Sequence, residues 1–359
     1  MSLPGILLLV ALGAVAVALQ VVIHETGHLV FGLLTGYRFQ SFRVGPLMVV
    51  RQRDGRLALR QLSLKGTGGQ CLMSPPDLVD ERMPYRLYNL GGSLMNALVG
   101  GGCALACFLI SERNALTLFL ALMGIVGIAY ALMNGLPMQV SGISNDGRNA
   151  RDAGESPEAL RGLWLNLKVG ESLANGVRLK DLPDEWFAIP SPEGMANPLA
   201  ASAGAFASNR LLDAGDVDGA AMLIRHLLER PSGLLGMHRS ALRVDLAYCE
   251  LVGPNRACEL DAILNAETGA FMRGMGASPS VLRTRYAQAL LADGDETAAH
   301  ELRAAFEAAA ERYPYPCEIE GERALLDRAQ TTFAERRGRE RAGSAEIETT
   351  KTFQPPETT

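Results

Sequence analysis

Long apolar runs separated by short polar intervals fill the first 140 residues, and no comparable run follows. The runs predict helices over about 3–35, 87–110 and 115–136. A helix needs about 20 apolar residues to cross a bilayer, so each run is long enough to span. The first would measure about 50 Å, longer than required, and must tilt, bend or protrude. Past residue 150 the pattern changes. Leu160, Leu163, Trp164 and Leu167 follow the helix start at Ser156-Pro157 with the spacing of a half-buried helix on a polar background.

The interval between the first two runs has structure of its own. Leu47–Arg51 and Arg56–Arg60 flank Asp54-Gly55, which predicts a β-hairpin within loop 37–65. Such a hairpin would either cover helix ends or hold an extended peptide by strand addition. The same interval carries Arg38, Arg43, Arg51, Arg53, Arg56, Arg60, Lys65, Arg82 and Arg86, whereas the Ser111–Asn114 turn has only Arg113. The positive-inside rule places the basic loop in the cytoplasm, the N-terminus outside and the C-terminal half inside. The N-terminus lacks Lys and Arg, and the apolar run continues well past Ala18, so a retained helix is expected rather than a cleaved signal.

Chemistry is concentrated in the first run. Its only ionisable residues are His24, Glu25 and His28, in the pattern His-Glu-x-x-His. Residues four apart share a helix face, so both imidazoles can meet one ion with Glu25 alongside. Unpartnered, these groups would cost several kcal/mol in an apolar setting. The arrangement predicts Zn2+ held by His24 and His28, with Glu25 as catalytic base. A hydrolytic zinc site takes a third protein ligand and leaves one position open. Asp146 is the candidate: it follows the Pro137 interruption of the third run and precedes Gly147. The bland alternative for Asp146-Gly147 is a surface turn.

The order of these elements resembles the site-2 protease family of intramembrane zinc metalloproteases. The resemblance covers about residues 20–150. It rests on His24-Glu25-x-x-His28, on Gly91-Gly92-Ser93-Leu94-Met95-Asn96, and on Asn134-x-x-Pro137 leading to Asp146-Gly147. It implies His24, His28 and Asp146 as zinc ligands, Glu25 as catalytic residue, and Asn96 and Asn134 as substrate-binding residues. The chain departs from the family's common pattern in three ways. Asn145 rather than Leu precedes Asp146, the interval from Pro137 is longer, and Gly92 stands where Pro is frequent. No PDZ-like segment is present.

The C-terminal half predicts a helical domain over 150–336, with a Pro-rich connector at about 182–198 and a disordered tail at 337–359. Gly215, Gly253 and Gly294 each fall between apolar helical segments, at intervals of about 40 residues. These resemble degenerate tetratricopeptide-type repeats, which would imply a protein partner; a helical bundle without a partner surface is the alternative. A formal net charge of −5 gives no reason to expect a nucleic-acid partner. The six cysteines are expected as thiols, and Cys103 and Cys107 as packing residues.

The expectation is a mainly α protein: a three-helix transmembrane metalloprotease core with a small β-hairpin insertion over 1–149, then a soluble α-helical hairpin-repeat domain. It would be a multi-pass cell-membrane zinc endopeptidase whose partners are the lipid bilayer and a membrane protein or peptide substrate. The alternative is a catalytically inactive family member that binds membrane segments as a scaffold. A metal sensor or transporter would be expected to carry more polar groups along the second and third runs, which have almost none.

Overall fold

The computed structural model describes residues 2–52, 54–61, 68–140, 143–229 and 232–351. The chain divides into two units, the first comprising residues 1–177, 182–206 and 231–236, the second the remainder.

The first unit opens with α1 (Leu3–Leu34), led by Pro4 in its first turn. It stops at Gly36, whose φ of +88° is the left-handed conformation that closes a helix C-terminus. Tyr37 N–H donates to Gly32 O and Gly36 N–H to Leu33 O, satisfying two carbonyls that the helix leaves free. Four antiparallel strands follow: β1 (Arg38–Val44), β2 (Leu47–Arg51), β3 (Leu57–Gln61) and β4 (Gly69–Ser74). Their order in the sheet is β3-β2-β1-β4. The expected hairpin is the β2–β3 pair, with Leu47 opposite Gln61 and Arg51 opposite Leu57. It is half of a larger sheet, because β1 and β4 pair as well. Residues 62–67 of the expected loop lie outside the described residues.

The remaining long helices are α2 (Arg86–Leu109) and α3 (Ala115–Gly135). Asn114 caps α3 by accepting from Leu116 and Thr117 N–H, and Thr117 returns the bond to the Asn114 backbone. All three helices are long and apolar enough to cross a membrane. Their packing is inverted relative to a water-soluble bundle. The buried face of α2 carries Asn89, Gly91, Gly92, Ser93, Asn96 and Gly100, while Leu98, Leu105 and Phe108 point outward. The small residues on this face let the helix backbones approach closely.

A short β5 (Gln139–Val140) and β6 (Ile143–Ser144) pair antiparallel and return the chain to α4 (Asp146–Ala153), followed by α5 (Pro157–Ala174). Both helices group with the membrane-type core, so the first unit extends past the expected boundary at 149. The reason is a set of ties to the sheet side. Trp164 Nε1–H donates to Pro76 O at 3.2 Å, and Lys168 pairs with Asp77 at 3.0 Å. Arg38 pairs with Glu171 at 3.1 Å, and Leu167 packs against the Tyr37, Cys71, Met73 and Tyr88 cluster.

The second half is helical, as expected: α6 (Pro198–Asp213), α7 (Val217–Glu229), α8 (Gly236–Val252), α9 (Ala257–Ile263), α10 (Ala266–Gly274), α11 (Pro279–Leu291), α12 (Glu296–Ala310) and α13 (Pro316–Lys351). Gly215 and Gly294 form left-handed turns between α6 and α7 and between α11 and α12; Asn255 does so between α8 and α9. Within the second unit Arg283 is buried, bonding Asp245 at 2.5 Å and Glu322 at 3.0 Å, its guanidinium 4.6 Å from the Tyr248 ring centroid. The backbone of α13 is helical to Lys351, through much of the stretch expected to be disordered. Its Glu, Arg and Ala content favours helix. Residues 352–359 of that stretch lie outside the described residues.

Candidate metal centre

The buried residues of α1 form one stripe: Ala16, Gln20, His24, Glu25, Gly27, His28 and Gly32. A four-residue step keeps successive members on one face. This stripe lies against α2, where Gly27 faces the backbone of Gly91 and Gly92. A methyl at Gly92 would stand 2.5–2.7 Å from the His24 ring, so glycine there makes room for the imidazole.

Each imidazole is fixed through Nδ1. His28 Nδ1 lies 2.8 Å from Tyr88 O, a carbonyl that can only accept, so this nitrogen carries the proton. His24 Nδ1 lies 2.7 Å from Asn96 Oδ1. Both Nε2 atoms then turn toward one point. Asp146 Oδ2 completes a triangle with them, 3.0 Å from His24 Nε2 and 3.3 Å from His28 Nε2; the two nitrogens are 3.2 Å apart. Three lone-pair atoms this close repel unless a proton or a cation lies among them. These residues could hold a metal ion. Burial alone would raise the Asp146 carboxyl, but the bonds to His24 and His28 outweigh it and hold the group well below the usual carboxylate range.

Asp146 reaches the triangle because Asn145 ties two helix ends together. The Asn145 side chain caps α4 by accepting from Arg148 N–H at 2.9 Å, and it accepts from Met138 N–H at 3.0 Å. Its amide donates to Met133 O and Leu136 O, both at 2.6 Å, at the end of α3. The interval between Pro137 and Asp146 folds back through the β5–β6 pair, and the Asn145 side chain and backbone N–H hold it closed. At Gly147 any side chain would collide with the Gly135 carbonyl, so the approach of α4 to α3 requires glycine.

Glu25 is buried beside the triangle and interacts electrostatically with His28, His24, Asp146 and Arg43. Gly69, the first residue of β4, packs on it: a methyl there would stand 2.6 Å from Glu25 Cγ and Oε1. The Tyr88 hydroxyl donates to Cys71 O at 3.3 Å, which holds β4 to α2. The Asp146 side chain is 26 % exposed, against 11 % for His24 and 10 % for His28, so the triangle opens on the Asp146 side.

Compared with protein-family models, with curated proteins and with solved structures, the chain matches none.

His24, His28, Asp146 and Glu25 therefore come together. Asn96 sits elsewhere than expected of a substrate-contacting residue. It is wholly buried behind His24, and its amide N–H groups donate to Gln20 O at 2.9 Å and Gln20 Oε1 at 2.6 Å. Asn134 is half-buried, and its side chain donates back to Tyr130 O in its own helix at 3.1 Å. Gln20 and Tyr88 were not singled out from sequence, and Asn145 was marked only as a departure from the family pattern. For Gln20 a signal existed: it stands four residues before His24, in the only polar and small stripe on α1.

Proposed function

We propose that the chain is a zinc endopeptidase of the site-2 protease type, cleaving peptide bonds of membrane-embedded or membrane-proximal substrates. The observation that carries this reading is the Nε2, Nε2, Oδ2 triangle with Glu25 beside it on an apolar helix. Zinc bonds of about 2.0–2.1 Å at tetrahedral angles give ligand–ligand edges of about 3.3–3.4 Å. The triangle's edges of 3.0, 3.2 and 3.3 Å are close to that size. Two imidazoles and one carboxylate, with an open side, also fit a hydrolytic rather than a structural zinc.

When bound, zinc supplies Lewis acidity, polarising a peptide carbonyl and making water a competent nucleophile near neutral pH. Glu25 takes the proton from the attacking water and passes it to the leaving amine as the C–N bond breaks. A helical substrate must first unwind, since its carbonyls are held in intrahelical bonds. The outer edge of β4, beside Glu25, is suited to receiving the unwound strand by backbone pairing.

In this reading the three apolar helices are membrane spans, and the basic loop orients the second unit to the cytoplasm. The helix pairs turning at Gly215, Asn255 and Gly294 would form a tetratricopeptide-like platform for a protein partner.

The test uses detergent-purified wild type, Glu25→Gln and Asp146→Ala, with zinc content and cleavage of co-expressed membrane substrates measured for each. We expect one zinc per chain in wild type and Glu25→Gln, loss of zinc in Asp146→Ala, and cleavage by wild type alone. Zinc-free wild type would reject the reading, and zinc with equal cleavage by Glu25→Gln would reject the role of Glu25.

A further inference from the structure

His28 and His24 are held by different means. The partner of His28 Nδ1 is a backbone carbonyl, which no substitution removes. His24 Nδ1 depends on a side chain, Asn96, and the orientation of Asn96 depends on another, Gln20. An amide can turn over and present either nitrogen or oxygen, so something must set its direction.

The direction is set at the far end, on α3. Gln20 Nε2–H donates to Met123 O at 2.9 Å. A carbonyl only accepts, so Gln20 must place nitrogen toward α3 and oxygen toward Asn96. Asn96 then places Nδ2 toward Gln20, where a second carbonyl, Gln20 O, demands the same orientation. That leaves Asn96 Oδ1 facing His24, whose Nδ1 must carry the proton and whose Nε2 must present its lone pair to the triangle. Both amides are wholly buried. Space for the first is made on α3: a methyl at Gly127 would stand 2.7 Å from Gln20 Nε2 and 3.0 Å from Asn96 O.

We propose that Gln20 is a positioning residue that, through Asn96, holds His24 in the tautomer and orientation needed to bind metal. The inference rests on the metal-centre reading and adds to it a residue that touches neither metal nor substrate. Groups that bond directly to a metal ligand, as Asn96 does, affect metal affinity by roughly 10-fold to 100-fold, and Gln20 acts through that group.

The experiment measures zinc affinity by chelator competition in full-length wild type, Gln20→Met, Asn96→Leu and the double variant. Met approximates the Gln side chain in length but cannot make either bond. We expect Asn96→Leu to bind zinc roughly 10-fold to 100-fold more weakly, and Gln20→Met to lose up to as much, well beyond twofold. We expect the double variant to be no worse than Asn96→Leu alone, since Gln20 acts only through Asn96. A Gln20 that merely packed helices would give losses that add. Affinity of Gln20→Met within twofold of wild type, or additive losses, would overturn the proposal while leaving the metal centre standing; zinc-free wild type would instead reject the centre itself. If the variants do not fold, nitrogen-15 spectra of zinc-loaded wild type still decide. A slowly exchanging Nδ1–H on His24 is expected, and metal on Nδ1 would overturn the relay.

Discussion

Replacing Asn145 by Leu separates the support of the candidate third ligand from the ligand itself, because Asp146 stays in place. The substitution removes both bonds accepted by Asn145 Oδ1, from Met138 and Arg148, and both donated by its amide, to Met133 O and Leu136 O. A hydrogen bond contributes about 1 kcal/mol net, and loss of an N-cap alone costs about 1 kcal/mol. Water can replace some partners here, since Asn145 is only half-buried, so closure of α4 onto α3 should weaken by about 2–4 kcal/mol. Once the open turn predominates, zinc affinity falls with it, by up to about 1,000-fold. Asn145→Asp keeps both acceptor bonds and a good helix cap but loses both donations, so it should fall between wild type and Leu. Chelator competition measures all three, with circular dichroism to confirm unchanged helix content. Zinc binding by Asn145→Leu within threefold of wild type would refute the reasoning, because Asp146 would then be held by something other than this tie.

Two further substitutions probe packing and titration. Gly92→Ala places a methyl 2.5–2.7 Å from the His24 ring, an overpacking that costs about 1–3 kcal/mol. It should weaken zinc binding by about tenfold or more. Gly101→Ala, where a methyl meets nothing within 4 Å, should leave binding unchanged, and equal effects of the two would argue against the contact. In the second unit, burial pushes the Glu322 carboxyl up to about 7 from its usual 4.5, against the pull of Arg283 and with a push from Asp245 and Glu318. Its folded pKa lies above its unfolded one, so the stability it contributes is full at low pH and is lost as pH rises through about 7. The melting temperature of this unit should therefore fall between about pH 5 and about pH 8, and Glu322→Gln should flatten the slope; an unchanged slope would exclude Glu322 as its source.

The three apolar helices were legible in sequence to within a residue or so at each end, because an uninterrupted apolar run leaves little choice of structure. His24, Glu25 and His28 were legible because such groups rarely occur in such a run. Asp146 was legible only through its place after Pro137 and before Gly147. The strands β1 and β4 were not. In β1 the residues that turn inward are Ser41 and Arg43, the reverse of what hydropathy assigns. Arg43 can be buried because Gly45 O accepts from its guanidinium at 2.9 Å, a partner invisible to pattern reading. The reach of the first unit past residue 149 was hidden for a related reason. α5 has the periodicity of any soluble helix, and only contacts distant in sequence, such as Trp164 with Pro76 and Lys168 with Asp77, assign it to the core. Gln20 shows the limit most plainly: its spacing from His24 places it on the same helix face, but its role exists only once α2 and α3 are beside it.

The candidate ligand triangle draws on two stretches of chain far apart, the histidines from the first apolar helix and the aspartate from beyond the third. A ribosome delivers them in that order. While the first two apolar helices are being made, the chain carries His24, Glu25 and His28 but not Asp146 to complete the set, and Met123, the anchor of Gln20, has yet to be synthesised. The centre can assemble only after the last apolar helix and its closing turn have emerged. The order of residues along the chain thus keeps a nascent protein from completing the triangle until its last apolar helix has been made.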